Sequence, residues 1–339
     1  MSDREVLEAR KALWEMGDLS FKLHKAQVKI HKQIKKLPKS TREALIFCAR
    51  QFGKSYLGCL MAIEDCIQTP GVQVTIIGPS IKQTVKICRP RIATISADAP
   101  KGLMVQTRSQ NIWRFKNGSI LTLEGFDTVL ESMRGQTNHR VYMEETGTAT
   151  ADADDYEYMV HSVIIPTLMH AKGKLIHLTT PSKIVDHPLH TITLPKCKLN
   201  KSFYKFTIED NPRLTKRDIA QEIEITGGID NVACQRELYC EIVRDESIVV
   251  VPTFIEEMHV GEVALQDWYV PLVCGDFGGV NDLHCFHLIA YDHNRGRVVV
   301  LEEKWFPNRT PTSVIVDGLR EWDTYSTSRV LDAHGQTQV

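Results

Sequence analysis

The sequence lacks the features that mark secreted and membrane proteins. Its nine cysteines are scattered, with no CxxC pair, so we expect reduced, mostly buried thiols rather than a disulfide framework. No apolar run is long enough to span a bilayer. The charged start MSDREVLEARKALW has no apolar secretory core. These absences argue against a secreted scaffold and a membrane protein, and they predict a protein of the reducing cytoplasm.

The sequence also lacks internal repeats, low-complexity segments and a strong net charge. The formal charge is −1 over 339 residues, which argues against a protein that binds nucleic acid tightly at all times. The charge is uneven, however. From Lys22 to Lys54 there are ten basic residues and one acid, Glu43. Two interpretations stay open: a solvated helix face, or a surface that faces DNA or phosphate.

Apolar runs alternate with polar, helix-like segments through the first half of the chain. After a helical start of about forty residues come EALIFCA, VQVTIIGP, HRVYMEE and KLIHLTT. Runs of this kind predict an α/β protein whose parallel-type sheet is flanked by helices. Between the second and third runs, Asn117-Gly118 lies between alternating apolar residues, which predicts a β-hairpin.

The later part of the chain has a different order of elements. A strand end and two short helices are expected after Pro181, followed by a linker at about residues 252–267. Then three strands, a helix from Thr312 to Tyr325 and a fourth strand at RVLDAHG are predicted. This order is typical of the opening of a ribonuclease-H-like domain, in which the first and fourth strands lie side by side.

The segment CARQFGKS ends like a phosphate-binding loop. Gly53, Lys54 and Ser55 follow a predicted strand and precede a predicted helix, as a loop that cradles phosphates requires. The lysine would hold phosphates and the serine hydroxyl would hold Mg²⁺. Cys48 stands where the first glycine of the pattern belongs, and Arg50 and Gln51 fill the middle. A small residue is compatible with the turn at that first position.

Further residues fit a nucleotide-hydrolysing site. The run HRVYMEE ends in Glu144 and Glu145; hydrolysis needs one carboxylate near Mg²⁺ and one that orients the attacking water. The run KLIHLTT ends in Thr179 and Thr180, just before Pro181, and hydroxyls there could sense the γ-phosphate. Gln27, upstream of the loop, has an amide that can read both edges of adenine. Taken singly, each of these is weak evidence.

In this order, the residues resemble the large terminase subunit of tailed bacteriophages, over roughly residues 20 to 335. CARQFGKS is similar to that family's deviant Walker A motif, with Arg50, Gln51, Gly53, Lys54 and Ser55 in place. VYMEE resembles its Walker B motif, TTP its coupling motif, and Gln27 its adenine-reading glutamine. The resemblance implies that Glu145 is the catalytic carboxylate, that Glu144 lies on the magnesium side, where aspartate is commoner, and that Thr180 belongs to the coupling motif. It also implies that Arg134 acts on the ATP of a neighbouring subunit. Arg50, within the same subunit, is the alternative arginine for neutralising charge in the transition state.

The second half resembles the nuclease of the same family. GDFGGVND, with Asp276 and Asp282, is similar to its first acidic motif, and VLDAHG, with Asp332, to its second. The resemblance implies that these aspartates hold catalytic Mg²⁺ or Mn²⁺. The sequence departs from the pattern because no third acidic motif follows, so we expect weak cutting or none. Glu302 and Glu303 are expected mainly on a solvated surface, with metal ligation as the minority interpretation.

The resemblance also implies a domain plan and partners. We expect N-terminal helices and a P-loop ATPase core of the ASCE type at residues 1–182, a lid and linker subdomain at 183–260, and a partial ribonuclease-H-like nuclease domain at 261–339. The cofactors would be ATP with Mg²⁺, and the partners double-stranded viral DNA, the portal protein of the procapsid and the small terminase subunit. A monomer in isolation and a homo-oligomeric ring on assembly are expected, in the cytoplasm of the infected bacterial host and away from any membrane.

Two other functions fit part of the sequence. A superfamily-2 helicase would share Gln27, the loop and VYMEE, but it would need a second motor domain where the chain shows a nuclease-like start. An assembly adaptor that binds nucleotide without hydrolysing it would explain Cys48 and Glu144. Strand separation would favour the helicase, and tight ATP binding without turnover would favour the adaptor.

Overall fold

The structure is a computed structural model, and the chain folds as two units, Met1–Val249 and Val250–Val339. The residues that it describes are 3–107, 111–149, 156–244, 254–264, 266–278, 283–307, 309–324 and 328–331. No helix in these ranges is long and apolar enough to cross a membrane. All nine cysteines are free, and seven of them are buried.

The first unit is built on an eight-stranded sheet with the order β3-β4-β5-β2-β6-β7-β1-β8. The strands are β1 Glu43–Cys48, β2 Gln73–Gly78, β3 Met104–Gln106, β4 Ile112–Phe115, β5 Ile120–Gly125, β6 Arg140–Glu144, β7 Lys174–Thr179 and β8 Phe203–Phe206. Within this order, the six strands from β5 to β8 run parallel to one another. The predicted α/β fold with a mostly parallel sheet is confirmed.

Helices cover this sheet and join its strands. They are α1 Asp3–Met16, α2 Lys25–Lys35, α3 Lys54–Gln68, α4 Ile81–Ser96, α5 Phe126–Ser132, α6 Thr146–Ala149, α7 Ile165–Met169, α8 Leu194–Leu199, α9 Lys216–Ile225 and α10 Val232–Glu237. Two π-helical segments, Tyr158–Ile164 and Leu189–Thr193, run into α7 and α8, and short 3-10 turns lie at Ser20–Lys22 and Ile208–Asp210.

Strand β1 shows why the central strands are continuous apolar runs. All six of its residues are buried. Ala44, Ile46 and Cys48 belong to the hydrophobic core on one face of the sheet, while Leu45 and Phe47 belong to the core on the other face. A parallel strand covered on both faces has no solvent side, so alternation of apolar and polar residues disappears.

The predicted hairpin and the N-terminal helices are also present. Strands β4 and β5 pair antiparallel around Asn117-Gly118, with Gly118 at a φ of +86°. The N-terminal segment is fastened to α3 by the buried Glu64. Its carboxylate accepts a hydrogen bond from the Leu19 backbone N–H at 2.7 Å and contacts His31 Nε2 at 2.6 Å. This attachment holds α2, and with it Gln27, beside the first turn of α3.

The second unit contains a four-stranded sheet with the order β11-β10-β9-β12. Its elements are α11 Glu256–His259, β9 Tyr269–Asp276, β10 His284–Asp292, β11 Arg297–Phe306, α12 Thr312–Leu319, a 3-10 turn Arg320–Thr324 and β12 Ser328–Leu331. The first three strands pair antiparallel, and β12 lies parallel to β9. The predicted order of strands and the pairing of the first with the fourth are therefore present.

Candidate nucleotide site and acidic site

The phosphate-loop sequence connects β1 to α3 at the carboxyl edge of the sheet. Gly53 is the N-cap of α3 and has a φ of +90°, a left-handed conformation that favours glycine. Cys48 is the last residue of β1 and is buried; it is not among the residues with positive φ. The backbone therefore does not require a glycine at Cys48, which explains why a small side chain is tolerated there.

Lys54 joins this loop to the end of β6. Its side chain is buried, and Nζ donates a hydrogen bond to the Cys48 carbonyl at 3.2 Å. The same Nζ lies 3.4 Å from Glu145 Oε1. The backbone N–H of Glu145 donates to the Leu178 carbonyl at 3.1 Å, so Glu145 is held against the end of β7. The structure thus brings together three of the sequence-predicted elements: the loop, the acidic pair and the strand that leads to Thr180.

Glu144 is a buried carboxylate in the same place. Its Oε1 has no hydrogen-bond partner among the described residues. The pKa of Glu144 is raised from 4.5 to about 7, because burial, the largest cause, and the charge of Glu145 outweigh the opposite effects of the Ser55 hydroxyl and the Lys54 ammonium. An oxygen ligand that is desolvated and unpaired, beside a serine hydroxyl, fits the donor set that a hard cation such as Mg²⁺ prefers.

The segment after β7 contacts the segment after the acidic pair. Thr179 Oγ1 accepts a hydrogen bond from the Gly147 N–H at 3.0 Å and donates to the Thr180 carbonyl at 2.8 Å. A methyl group on Gly147 would lie 2.7 Å from that carbonyl oxygen. Thr180 itself is buried. The sequence analysis missed Gly147, because its importance depends on a contact between α6 and the end of β7 that no local pattern reveals.

His190 holds the same segment from the other side. Its Nε2 accepts a hydrogen bond from the Ser182 N–H at 3.0 Å, and its Nδ1 lies 3.0 Å from the Val185 carbonyl. Accepting at one nitrogen and donating at the other requires the neutral ring. Burial lowers the pKa of His190 below 6.5, which favours that form. The sequence analysis also missed this residue, which the structure identifies as an anchor of residues 180–182.

Gln27 lies directly against the phosphate loop. It is 1% exposed. Its Nε2 donates to the Gly53 carbonyl at 3.0 Å, and its Oε1 accepts from the His24 N–H at 3.2 Å. Both polar groups of the amide are thus bound within the protein in this structure. The contact puts Gln27 at the predicted site, and its reading of adenine stays a prediction.

The two arginines proposed for catalysis occupy different surroundings. Arg50 has an exposed side chain, and its backbone N–H donates to the Glu237 carbonyl at 2.8 Å, which ties the loop to α10. Arg134 is exposed just after α5, and its guanidinium donates to the Tyr158 hydroxyl. Gln51, beside Arg50, is exposed and has a φ of +58°.

In the second unit, Asp276 is exposed at the end of β9. Leu331, at the end of β12, pairs with Gly275, so the two strands end side by side. Asp282 and Asp332 lie outside the described residues. Among the residues that the structure does describe, no group of three acidic, histidine or cysteine side chains could hold a metal ion. Glu302 accepts a hydrogen bond from Trp322 Nε1 at 2.7 Å, and Glu303 lies 3.7 Å from His287 Nε2.

The Gly-Lys-Ser loop leads from a parallel strand into a helix, and it faces carboxylates at the end of β6. This arrangement defines a P-loop nucleotide-binding α/β protein. The family model for the N-terminal part of the T4likevirus-type terminase large subunit matches residues 45–249. The chain therefore belongs to the terminase large-subunit family, the ATPases of phage DNA-packaging motors.

Solved structures share the fold. The large terminase of bacteriophage HK97 is 15% identical with a TM-score of 0.55, over 92% of this chain and 70% of that one. The large terminase of a thermophilic bacteriophage is 15% identical with a TM-score of 0.53, over 92% of this chain and 78% of that one. A further structure of that thermophilic phage protein was determined in complex with ADP. No curated protein matches the sequence.

Proposed function

We propose that this chain hydrolyses ATP to translocate double-stranded DNA into a procapsid. The observation that carries the proposal is the 3.4 Å approach of Lys54 Nζ to Glu145 Oε1. It joins a phosphate-holding lysine to a carboxylate that can orient water, and both are needed at the same γ-phosphate. Membership of the terminase family supports DNA packaging as the process that this hydrolysis drives.

Each residue at the nucleotide site has a distinct role in this proposal. Lys54 and the loop N–H groups bind the phosphates, and Ser55 with Glu144 would hold Mg²⁺, which neutralises phosphate charge when bound. Glu145 orients and deprotonates the attacking water. Gln27 reads the adenine. Because Gln27 is bonded to the Gly53 carbonyl, adenine recognition requires that one of its two amide contacts be exchanged.

An arginine completes the site. Positive charge near the γ-phosphate stabilises the transition state and is worth a factor of about 10³ or more in rate. Arg50, within the loop, would act in the same subunit. Arg134, which is exposed and lies beyond α5, would act on a neighbouring subunit of a ring. Thr180 and the following residues would pass the loss of the γ-phosphate to the rest of the motor.

The ATPase proposal is tested by turnover and binding measured on the same variants. Lys54→Ala should lose both ATP binding and hydrolysis. Glu145→Gln should keep ATP binding and lose turnover by about a hundredfold or more, because it lacks the general base. Glu224→Gln, an exposed change on α9, is the matched control. Wild-type turnover by Glu145→Gln would contradict the proposal, and ATP binding without any turnover, even with DNA and portal, would favour the adaptor function.

We further propose that the second unit cuts DNA with Mg²⁺ or Mn²⁺ held by Asp276, Asp282 and Asp332. The parallel ends of β9 and β12, where Leu331 pairs with Gly275, support this assignment. Two such metals would bind the scissile phosphate and activate water. In a plasmid assay we expect weak cutting or none, and any cutting should need metal and be lost in Asp276→Ala. Cleavage that persists in Asp276→Ala would contradict the assignment.

The partners follow from the same function. We propose that the chain acts with the portal protein and the small terminase subunit in the cytoplasm of the infected bacterial host. Assembly into a ring would bring Arg134 of one subunit to the ATP of the next. Co-sedimentation with portal-bearing procapsids, in the presence of ATP and viral DNA, is the direct measurement, and absence of association under these conditions would contradict it.

A further inference from the structure

A cavity of about 380 Å³ lies at the opposite edge of the first unit's sheet from the nucleotide site. It opens where β2, β6 and β7 begin, below the carboxyl end of α3. Its lining residues are Lys39, Asp65, Thr69, Val72, Val74, His139, Arg140, Ala171, Lys172 and Lys174. We call it the basal cavity. None of the residues assigned to the nucleotide site lines it.

The basal cavity contains one carboxylate, and that carboxylate already has donors. Asp65 accepts a hydrogen bond from the Tyr142 hydroxyl at 2.6 Å. It is also 3.5 Å from Arg140 Nε and 3.5 Å from Lys35 Nζ. Its negative charge is therefore shared between two cations and a hydroxyl, which leaves little to balance the other basic side chains of the cavity.

Four basic groups of the cavity have no carboxylate partner within the described parts of the chain: Lys39, His139, Lys172 and Lys174. Lys39 and Lys172 are exposed at its rim. His139 Nδ1 accepts a hydrogen bond from the Gln73 N–H at 3.2 Å, so its other ring nitrogen is left as a donor. Burial and the charge of Arg140 lower the pKa of His139, so it contributes a donor, while the lysines contribute the excess of positive charge.

Lys174 shows that this charge is unbalanced. It is 8% exposed, and its Nζ donates to the Leu37 and Pro38 carbonyls at 3.0 and 2.8 Å. An ammonium has three donors, so one remains. The pKa of Lys174 is lowered from 10.5 to about 8, mainly by burial and then by the charges of Arg140 and Arg42, while Asp65 acts in the opposite direction. An anion in the cavity would supply the missing negative charge.

We propose that the basal cavity binds backbone phosphates of double-stranded DNA. The inference rests on the proposed function in that DNA is the polymer on which the motor acts. Phosphate is the ligand that converging lysines and an imidazole recognise as point charges and donors. Lys39 belongs to the basic stretch from Lys22 to Lys54, for which the sequence left open a phosphate-facing role. The exposed rim lysines would make the first contact.

The position of the basal cavity connects it to catalysis. Strand β6 begins at Arg140 and ends at Glu144, and β7 begins at Lys174 and ends at Thr179. At the usual rise per residue of a strand, Arg140 is roughly 13 Å from Glu144 along β6, and Lys174 is roughly 17 Å from Thr179 along β7. The same two buried strands therefore have a DNA-contacting residue at one end and a nucleotide-site residue at the other.

The test measures duplex DNA binding by the double variant Lys39→Ala/Lys172→Ala. Both side chains are exposed, so the fold should be unaffected. Fluorescence anisotropy with a short labelled duplex is recorded between about 50 and 200 mM salt. Loss of two phosphate contacts should weaken binding and make the slope of log K against log salt shallower by about two. Lys82→Ala/Lys86→Ala, which removes two exposed lysines of α4, is the control of equal charge.

Equal losses in the two double variants, or no loss in Lys39→Ala/Lys172→Ala, would overturn the proposal. The same side chains could instead bind a small free anion, and inorganic phosphate is the probe for that alternative. If it protects wild type but not Lys39→Ala/Lys172→Ala against heat, and both bind DNA equally, the ligand is a small anion and the DNA assignment is wrong. ATPase turnover without DNA should be unchanged in the variants. Absence of turnover in wild type even with DNA and portal would contradict the proposed function and leave the DNA comparison valid.

Discussion

At the scale of single residues, Glu144 carries an electrostatic penalty that depends on pH. Its pKa is raised from 4.5 to about 7, first by burial and then by the charge of Glu145. The folded chain therefore binds this proton more tightly than the unfolded chain. The stability that the group contributes is fully present below about pH 4.5 and is lost as the pH rises to about 7.

We predict that Glu144→Gln stabilises the nucleotide-free protein above pH 7 and has little effect near pH 4.5. A pKa raised from 4.5 to about 7 corresponds to at most about 3 kcal/mol. Urea unfolding at both pH values measures the effect, with the exposed Glu224→Gln as the control. Equal unfolding midpoints for wild type and Glu144→Gln above pH 7 would contradict it.

The residues of the nucleotide site differ in how far the sequence could predict them. Gly53, Lys54 and Ser55 are adjacent, and Glu144 and Glu145 end an apolar run, so local spacing was sufficient. Gly147 and His190 could not be predicted in this way. Gly147 matters because a methyl group on it would meet the Thr180 carbonyl. His190 matters because it accepts a hydrogen bond from the Ser182 N–H. The first effect depends on a contact between segments about thirty residues apart, and the second on a fold-back of the chain that has no local sequence pattern.

At the scale of secondary-structure elements, the contact between α6 and the end of β7 links the acidic pair, Glu144 and Glu145, to the segment that begins at Thr180. Gly147 lies two residues after Glu145 and donates to Thr179. Because a methyl group there would lie 2.7 Å from the Thr180 carbonyl oxygen, one of the two segments must move to accept it. A shift of this size would displace Glu145 or Thr180.

We predict that Gly147→Ala lowers ATP turnover by about tenfold or more with little change in ATP affinity, because misplaced catalytic groups reduce rate steeply. Steady-state hydrolysis and nucleotide binding are measured together. Gly261→Ala is the matched control, since a methyl group there meets nothing within 4 Å. Turnover at the wild-type rate would show that the segments move without affecting the site.

The long buried strands were predictable, and the short edge elements were not. Strands β1, β2, β6 and β7 are apolar runs covered on both faces, which is a strong local signal. Strand β3 has three residues, none of them buried, so its sequence has no pattern to detect. The helix expected from Thr312 to Tyr325 becomes a 3-10 turn after Leu319. The π-helical segments before α7 and α8 depend on packing that the sequence does not display.

At the scale of the whole molecule, the predicted trans action of Arg134 makes hydrolysis a property of an assembly. Arg134 and its hydrogen-bond partner Tyr158 are both exposed, so the guanidinium is accessible to a second subunit. We predict that ATPase activity rises steeply with protein concentration or on addition of the portal. Arg134→Ala should remove this rise. Full activity of Arg134→Ala in a monomer would contradict the trans role.

Mixing variants distinguishes Arg134 from Arg50. A Glu145→Gln subunit keeps its arginine, and an Arg134→Ala subunit keeps its carboxylate. If Arg134 acts in trans, a mixture of these two inactive variants should regain part of the activity. If Arg50 is the catalytic arginine, Arg50→Ala should lose activity at every concentration. Arg134→Ala should then stay active by itself, and the mixture should show no activity beyond that of its Arg134→Ala subunits.

The type of the first sheet and the pairing of the first and fourth strands of the second unit could be predicted, but the strand order of the first sheet and the basal cavity could not. Periodicity predicted a parallel sheet, and the pairing of β9 with β12 followed from the order of elements in the second unit. The basal cavity, by contrast, combines residues from the loop before β1, the start of β6 and the start of β7. Its charge is visible only when these segments are placed together.

The backbone conformation of Glu145 sets stability against activity at this position. Glu145 has a φ of +52°, a left-handed conformation that costs a side-chain-bearing residue about 1 to 2 kcal/mol. Gln51, in the facing loop, has a φ of +58°. Both are sites where glycine would relax the native backbone, yet glycine at Glu145 would remove the carboxylate. The site therefore trades stability for activity, and selection for thermal resistance alone would be expected to erode it.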